Sequence, residues 1–344
     1  MIQYLLPTFF LSLIGIFNIF GIKSSLAFNQ IISLIIGLIV YLVVRKLGRN
    51  FFARNTKIFY ILFLILLIVT FLIGLEAKGS RRWIDLFFFN FQSSEIFKAF
   101  FILFLGDFLV KNYNHSNSVG IFFQSIGLFL IPTLIIFKQP DLGNAAVFFI
   151  VYLFMILFSD VPKKYVLYFF LFILFVLPVG WHFMKDYQKD RILSFVNPHI
   201  DSQGTSYNMT QAIITVGSGK FIGRGLGLGT QSRLYFLPEN HTDFAFSSLV
   251  EQFGFLVGFI VLSLYVMLTV FIIQKAFQFV NLRDNIDKKK FLYIVGFLSY
   301  FVFQILVNVG MNLGLFPITG IALPFISYGG SSFVALMIGF ALLP

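Results

Sequence analysis

The chain has 344 residues, of which 58% are hydrophobic, 19% aromatic and only 11% charged, and it carries a formal net charge of +11. A soluble domain carries about 25% charged residues, so this composition, with a mean hydropathy of +0.91, excludes a soluble enzyme, a disordered chain and a nucleic-acid binder. Cysteine is absent, which excludes disulfides, a thiolate metal site and a cysteine nucleophile. The four histidines, at 115, 182, 199 and 241, are too scattered for a zinc cluster.

A membrane-spanning helix needs about 20 mostly apolar residues. Ten segments meet that need in chain order, near 4–22, 26–44, 58–75, 93–110, 119–137, 143–159, 165–183, 243–273, 291–315 and 322–343. The fourth carries charges and the sixth is short. The apolar runs are continuous and not alternating, which specifies helices and not a barrel. The first segment lacks the basic start and small-residue cleavage site of a signal peptide. The expected fold is therefore all-α, a polytopic membrane protein with about ten spans and a single domain over 1–344.

Orientation follows from the basic loops. With the N-terminus inside, the connections after the second, fourth, sixth and eighth spans hold thirteen Lys and Arg, from Arg45 to Lys290. The short loops on the other side hold five: Lys23, Lys78, Arg81, Arg82 and Lys138. Short basic loops stay in the cytoplasm, so both termini are placed inside and the large loop 184–242 outside.

That loop is too long for a simple helix connection. Asp186, Lys189, Asp190 and Arg191 alternate in sign, Asn197-Pro198 marks a turn, and Tyr207–Val216 suits a short helix lying at the membrane surface. Six glycines follow between Gly217 and Gly229. They fit no nucleotide loop: Ile214 stands where a Walker sequence needs glycine, and Thr230 where GxGxxG needs its last. A tight loop that exploits glycine backbone freedom is the better reading. Its amides and Arg224 suit an anion such as a diphosphate.

Next, Glu239, His241 and Asp243 crowd at the start of the eighth span. Thr242 or Asp243 suits a helix N-cap. A carboxylate beside lipid and other carboxylates also suits a base. In the fourth span Glu95 and Lys98 are three apart, so they share a helix face. They form either an ion pair near the helix end or part of a polar cavity. Arg81 to Asp85 reads as an amphipathic outer loop anchored by Trp83, and Lys138 to Gly143 as a turn that adds Asp141 to the outer face. Prolines, glycines and serines between Pro317 and Ser332 break the last span, as happens where a membrane helix lines a cavity or packs closely.

GSRRWID, FQSSEIFK, QPDLG, DYQKDRI, GRGLGLGTQSRLYFLPENHTDF and NVGMNLGLFPITGIALPFISYGGSS stand in this order along the chain. In this wording and order the sequence resembles, over essentially its whole length, the SEDS family of bacterial shape, elongation, division and sporulation proteins. The stretch GTQSRLYFLPENHTDF is similar to the RodA branch more than to the FtsW branch. Ser93 departs from the proline that the family usually has there.

The resemblance implies a peptidoglycan glycosyltransferase that polymerises lipid II at the outer face of the bacterial cytoplasmic membrane during elongation. It implies that Asp243 takes the place of the family's essential aspartate, and that Glu95 and Lys98 match its functional Glu and Lys. An undecaprenyl-diphosphate leaving group calls for positive charge, for which Arg81, Arg82, Lys98, Arg224 and Arg233 are candidates. Asp141, Gln231, Glu239, His241, Ser327 and Ser331 join them as candidate substrate contacts. A divalent cation, Mg2+ or Mn2+, is a possible cofactor. The resemblance also implies a class B penicillin-binding transpeptidase and other elongation-complex membrane proteins as partners. A lipid II flippase and a non-catalytic scaffold for the transpeptidase are the alternatives.

Overall fold

The computed structural model describes residues 2–77, 80–85, 90–112, 118–184, 189–190, 193, 195, 205–280 and 284–344. Asp186, Arg191 and the Asn197-Pro198 turn lie outside the described residues. Three helices and a short one come first: α1 (Ile2–Ile22), α2 (Ser24–Leu47), α3 (Arg49–Arg54) and α4 (Thr56–Ile73). Three strands follow, β1 (Leu75–Ala77), β2 (Ser80–Asp85) and β3 (Asn90–Phe91), then α5 (Ser93–Asn112), α6 (Ser118–Lys138), α7 (Leu142–Leu157) and α8 (Lys163–Phe183). The chain continues with α9 (Thr205–Ser218), α10 (Thr230–Arg233), α11 (Ala245–Phe277), α12 (Asn285–Asn312) and α13 (Gly330–Ala341).

Each of the ten expected spans corresponds to a helix, and among the described residues six are long and apolar enough to cross a membrane: α1, α2, α4, α6, α11 and α12. The protein is a multi-pass membrane protein. Large apolar side chains such as Phe9, Ile35, Ile65, Phe175 and Phe259 are exposed on the outer helices, where lipid and not water covers them. Helix α5 is the opposite case. It carries Glu95, Lys98, Asp107 and Lys111, yet nearly every residue from Ser93 to Val110 is buried. Ionisable groups inside a span face the bundle interior, and α5 is the central pillar, packed by α4, α6, α7, α12 and α13.

Three features differ from the sequence reading. Residues 81–85 are a strand and not a loop, the middle of an antiparallel sheet β1-β2-β3 that pairs Leu75 with Trp83 and Ile84 with Phe91. The last span, read as 322–343, is helical only over Gly330–Ala341. At 1.5 Å per residue this gives about 18 Å, short of the roughly 30 Å hydrocarbon thickness. The preceding chain is irregular, with positive φ at Gly314, Gly320 and Phe325.

The third feature is a break in α11 at Gly254, where φ is 81° and ψ 174°. A break in a spanning helix frees backbone groups that lipid cannot satisfy. The glycine-rich loop supplies the partners: Arg224 N donates to Glu251 O at 2.9 Å and Gly225 N to Gln252 O at 2.9 Å. In return Phe255 N donates to Lys220 O at 2.9 Å and Leu256 N to Phe221 O at 3.2 Å. The two backbones approach so closely that a Cβ on Gly254 would stand 2.3 Å from Phe221 O and 2.4 Å from Gly223 N. Gly254→Ala is therefore expected to destabilise the protein by about 2–3 kcal/mol, from the left-handed φ together with the clash. Thermal unfolding of the purified variant in detergent checks this. An unchanged midpoint would mean that the break is not required.

Candidate active site

Six pieces of chain converge on a cavity of about 230 Å³, Ser33 of α2 among them. The β2–β3 region contributes Arg82, Trp83, Asn90 and Gln92, the first turn of α5 contributes Glu95, and the start of α7 contributes Asp141 and Asn144. Thr242 and Asp243 come from the turn before α11, and Gly320, Tyr328 and Ser331 from the irregular segment and the start of α13. Helix ends and loops meet here because the breaks at Pro140, Phe244 and 313–329 all fall on one side of the bundle.

The floor of the cavity is a continuous polar chain. Lys98 Nζ lies 2.8 Å from Glu95 Oε1 and donates to Asn144 Oδ1 at 2.7 Å. Asn144 Nδ2 donates to Asp141 Oδ2 at 2.9 Å, and so does Gln92 Nε2 at 3.0 Å. Asp141 Oδ1 caps α7 by accepting from Asn144 N at 3.2 Å, and Arg82 Nη1 stands 3.9 Å from the same oxygen. Arg82 is held by Gln139 O, 3.1 Å from its Nε, and by Pro140 O. Glu95 is 6% and Lys98 1% exposed. Lys98 also lies 4.8 Å from the centre of the Tyr300 ring, a cation over a π face. Glu95 Oε2 is buried without a hydrogen-bond partner, an acceptor that a substrate hydroxyl or a water would satisfy.

Asp243 lines the same cavity. It does not cap α11: the N-cap position is Phe244, with no side-chain hydrogen bond. Its carbonyl accepts from Asn308 Nδ2 at 3.0 Å and Asn312 Nδ2 at 3.1 Å. Asn308 Nδ2 donates also to Ile321 O at 2.7 Å, so α12 ties the Asp243 turn to the irregular segment. Gly320 lies beside the carboxylate: a Cβ there would come 3.7 Å from Asp243 Oδ2, an ordinary van der Waals contact.

Residues 4–344 match the family model described as "Cell cycle protein", FtsW/RodA/SpoVE. The chain belongs to the FtsW/RodA/SpoVE family. It is 31% identical over 345 residues to "Peptidoglycan glycosyltransferase MrdB" of Escherichia coli K12, covering 99% of this chain and 91% of that protein. It is 32% identical over 340 residues to "Probable peptidoglycan glycosyltransferase FtsW" of Hydrogenovibrio crunogenus, covering 94% and 82%. Among solved structures it is similar to a chain described under "Structural coordination of polymerization and crosslinking by a peptidoglycan synthase complex", with TM-score 0.82, 26% identity and 99% and 95% coverage. The fold is also that of Thermus thermophilus RodA, with TM-score 0.72 at 24% identity, covering 100% of this chain and 95% of that one.

In this FtsW/RodA/SpoVE chain the other sequence candidates, Ser331 apart, are not among the residues that line the cavity. Strand alternation turns Arg81 from Arg82, and Arg81 pairs with Glu76 at 3.0 Å on the surface. Arg224 Nη1 donates to Thr230 Oγ1 at 3.1 Å, and Arg233 Nη1 to Gly227 O at 2.8 Å, so both brace the glycine loop. Gln231 N donates to Glu251 Oε1 at 2.8 Å. Glu239 Oε2 accepts from the cavity residue Thr242 at 2.9 Å, and the His241 ring lies 5.7 Å from that of Tyr328. Ser327 Oγ donates to Thr242 O at 2.6 Å. Ser331 does line the cavity, donating to Asn90 O at 2.7 Å and accepting from Gln92 N at 2.9 Å. These contacts shape the site from behind.

Sequence reading missed Glu251. It is fully buried, accepts from Gln231 N, Ser232 N and Ser232 Oγ at 2.7–2.9 Å, and so ties the loop to α11. An acid in an apolar span was the available signal. Asn144, Gln92, Asn308 and Asn312 were also missed; Asn308 and Asn312 share a face of α12 at i,i+4 spacing. Among the described residues no three His, Cys, Asp or Glu side chains converge to hold a metal ion. Asp141 is taken up by Gln92 and Asn144, and Glu95 by Lys98.

Proposed function

We propose that the chain is a peptidoglycan glycosyltransferase that polymerises lipid II in the cell membrane, serving elongation and cell shape, with its cavity on the outer face and both termini inside. Its relatives bear that activity's name over nearly the whole chain. The observation that carries the site assignment is that Asp243 and Glu95, the latter paired with the buried Lys98, line one cavity.

In the reaction the acceptor's sugar hydroxyl attacks the anomeric carbon of the donor, and the bond from that carbon to the undecaprenyl diphosphate breaks. Asp243 takes the hydroxyl proton as general base. Asn308 and Asn312 hold its backbone, so the carboxylate is pre-positioned. The departing diphosphate meets Arg82, whose Nη1 is only loosely paired at 3.9 Å to Asp141. Lys98, one layer deeper, orients Glu95 and adds positive potential. An α-linked donor and a β-linked product require inversion in a single displacement, with no covalent enzyme intermediate. The prenyl tails remain in the bilayer against the apolar helix faces.

The likeness to a peptidoglycan synthase complex supports a penicillin-binding transpeptidase as partner. A flippase needs polar groups through the depth of the membrane. Between Lys98 and Asp107 every residue of α5 is apolar, which favours transfer at one face over transport through the bundle.

Orientation is tested by placing a single cysteine at Leu228, which is exposed in the glycine-rich loop, in a chain that has no other. A membrane-impermeant maleimide added to intact cells is expected to label it. Labelling only after permeabilisation would put the cavity on the wrong face for external glycan synthesis and overturn the proposed function.

A further inference from the structure

A second polar cavity, of about 260 Å³, lies at the opposite end of α5. Glu95 and Asp107 are twelve residues apart, so the two cavities are separated by about 18 Å of helix. It is lined by Arg49, Asn50 and Arg54 of α3, Thr56 at the start of α4, Asp107 of α5 and Lys289 of α12. The mechanism above uses none of these groups.

The charges here do not balance. Among the described residues of the lining Asp107 is the one acid, and both its oxygens are occupied. Lys289 Nζ lies 2.7 Å from Oδ1 and Lys111 Nζ 2.8 Å from Oδ2, and Thr56 Oγ1 donates to Oδ2 at 3.2 Å. Among the described residues no carboxylate pairs with Arg49 or Arg54. Arg49 reaches only the Lys289 carbonyl, at 3.4 Å, and the face of Tyr293, 5.6 Å away. Its Nε is buried without a hydrogen-bond partner. An ionised, half-desolvated guanidinium without an anion is costly. Two arginine forks beside a neutral amide fit the oxygens of a phosphate. The cavity also opens at the lipid boundary, because Phe51, Ile58 and Ile286 beside it are exposed apolar side chains.

We propose that this cavity binds a phosphate-bearing anion, namely the phosphodiester headgroup of an acidic membrane lipid. Basic pockets between spanning helices recognise acidic headgroups by charge and hydrogen bonding, while the acyl chains stay in the bilayer. Arg49 and Arg54 contact the phosphate, and Asn50 donates to it or to the glycerol. Bound lipid would neutralise the α3 arginines at the foot of α5.

The test is thermal unfolding of the purified full chain in detergent, titrated with phosphatidylglycerol, phosphatidylcholine or inorganic phosphate. Phosphatidylglycerol is expected to raise the unfolding temperature, and phosphatidylcholine is not. Arg49→Gln should raise the half-saturating phosphatidylglycerol concentration about ten-fold or more, as expected for one lost charge-assisted pair. If Arg49→Gln fails to fold, Asn50→Asp carries the test. Asn50 is exposed, and a carboxylate there repels phosphate with almost no change of shape. Stabilisation by inorganic phosphate that the variants lose would support the phosphate site with a soluble anion as its source. Equal stabilisation by phosphatidylcholine, or a phosphatidylglycerol response unchanged in the folded variants, would overturn the proposal.

Discussion

Asp243→Asn is expected to fold normally and to lose about 10²–10⁴-fold of polymerising activity. The substitution keeps the shape and removes the negative charge, and with it the ability to take a proton. Little of the local structure depends on the carboxylate as a cap, because the N-cap position is Phe244. The turn is held through the Asp243 carbonyl by Asn308 and Asn312, and Asn at 243 presents the same carbonyl. A merely structural Asp243 would therefore leave both folding and rate near wild type. Gel analysis of glycan chains, with the thermal midpoint measured on the same preparation, separates the two. Full chain synthesis by Asp243→Asn would make Glu95, with its unpartnered Oε2, the next base to test.

Lys98→Met is expected to fail differently, by destabilising the protein by about 3–5 kcal/mol. Removing one partner of a buried pair leaves the other charge without compensation, and Glu95 already has one oxygen without a hydrogen bond. Asn144 loses its donor at the same time. Replacing both charges, with Glu95→Gln and Lys98→Met together, is expected to restore much of the stability but not the activity. A double-mutant cycle on thermal unfolding measures this coupling. If Lys98→Met alone unfolds at the wild-type temperature, the pair is not a desolvated unit.

The spans were legible because lipid imposes one simple requirement, a long continuous apolar run. That requirement says nothing about breaks. EQFGFLVG reads as a helix interior, and only the facing loop backbone shows why Gly254 adopts a positive φ. β3 has two residues and β1 three, too short for any alternation to stand out. Glu95, Lys98, Asp141 and Asp243 were legible as ionisable groups in or beside apolar segments, the most costly places to keep them. Asn144 and Gln92 were not, since a neutral amide carries no such signal. Their role as links between Asp141, Lys98 and the β3–α5 junction exists only once three distant segments meet. Arg81, Arg224 and Arg233 show the converse: a positive charge on the expected face is readable, but whether it turns to the cavity or to the surface is decided by pairing with Glu76, Thr230 and Gly227.

The central claim, that this bundle makes glycan strands at the Asp243 cavity, is tested most directly by giving the purified protein lipid II alone. The preparation includes the proposed penicillin-binding partner in a form inactive for crosslinking, and the products are resolved by length on a gel. A ladder of polymer is expected from the wild-type protein and unconverted lipid II from Asp243→Asn at equal folded amounts. Lipid II left unconverted by folded wild-type protein, or an identical ladder from Asp243→Asn, would contradict it.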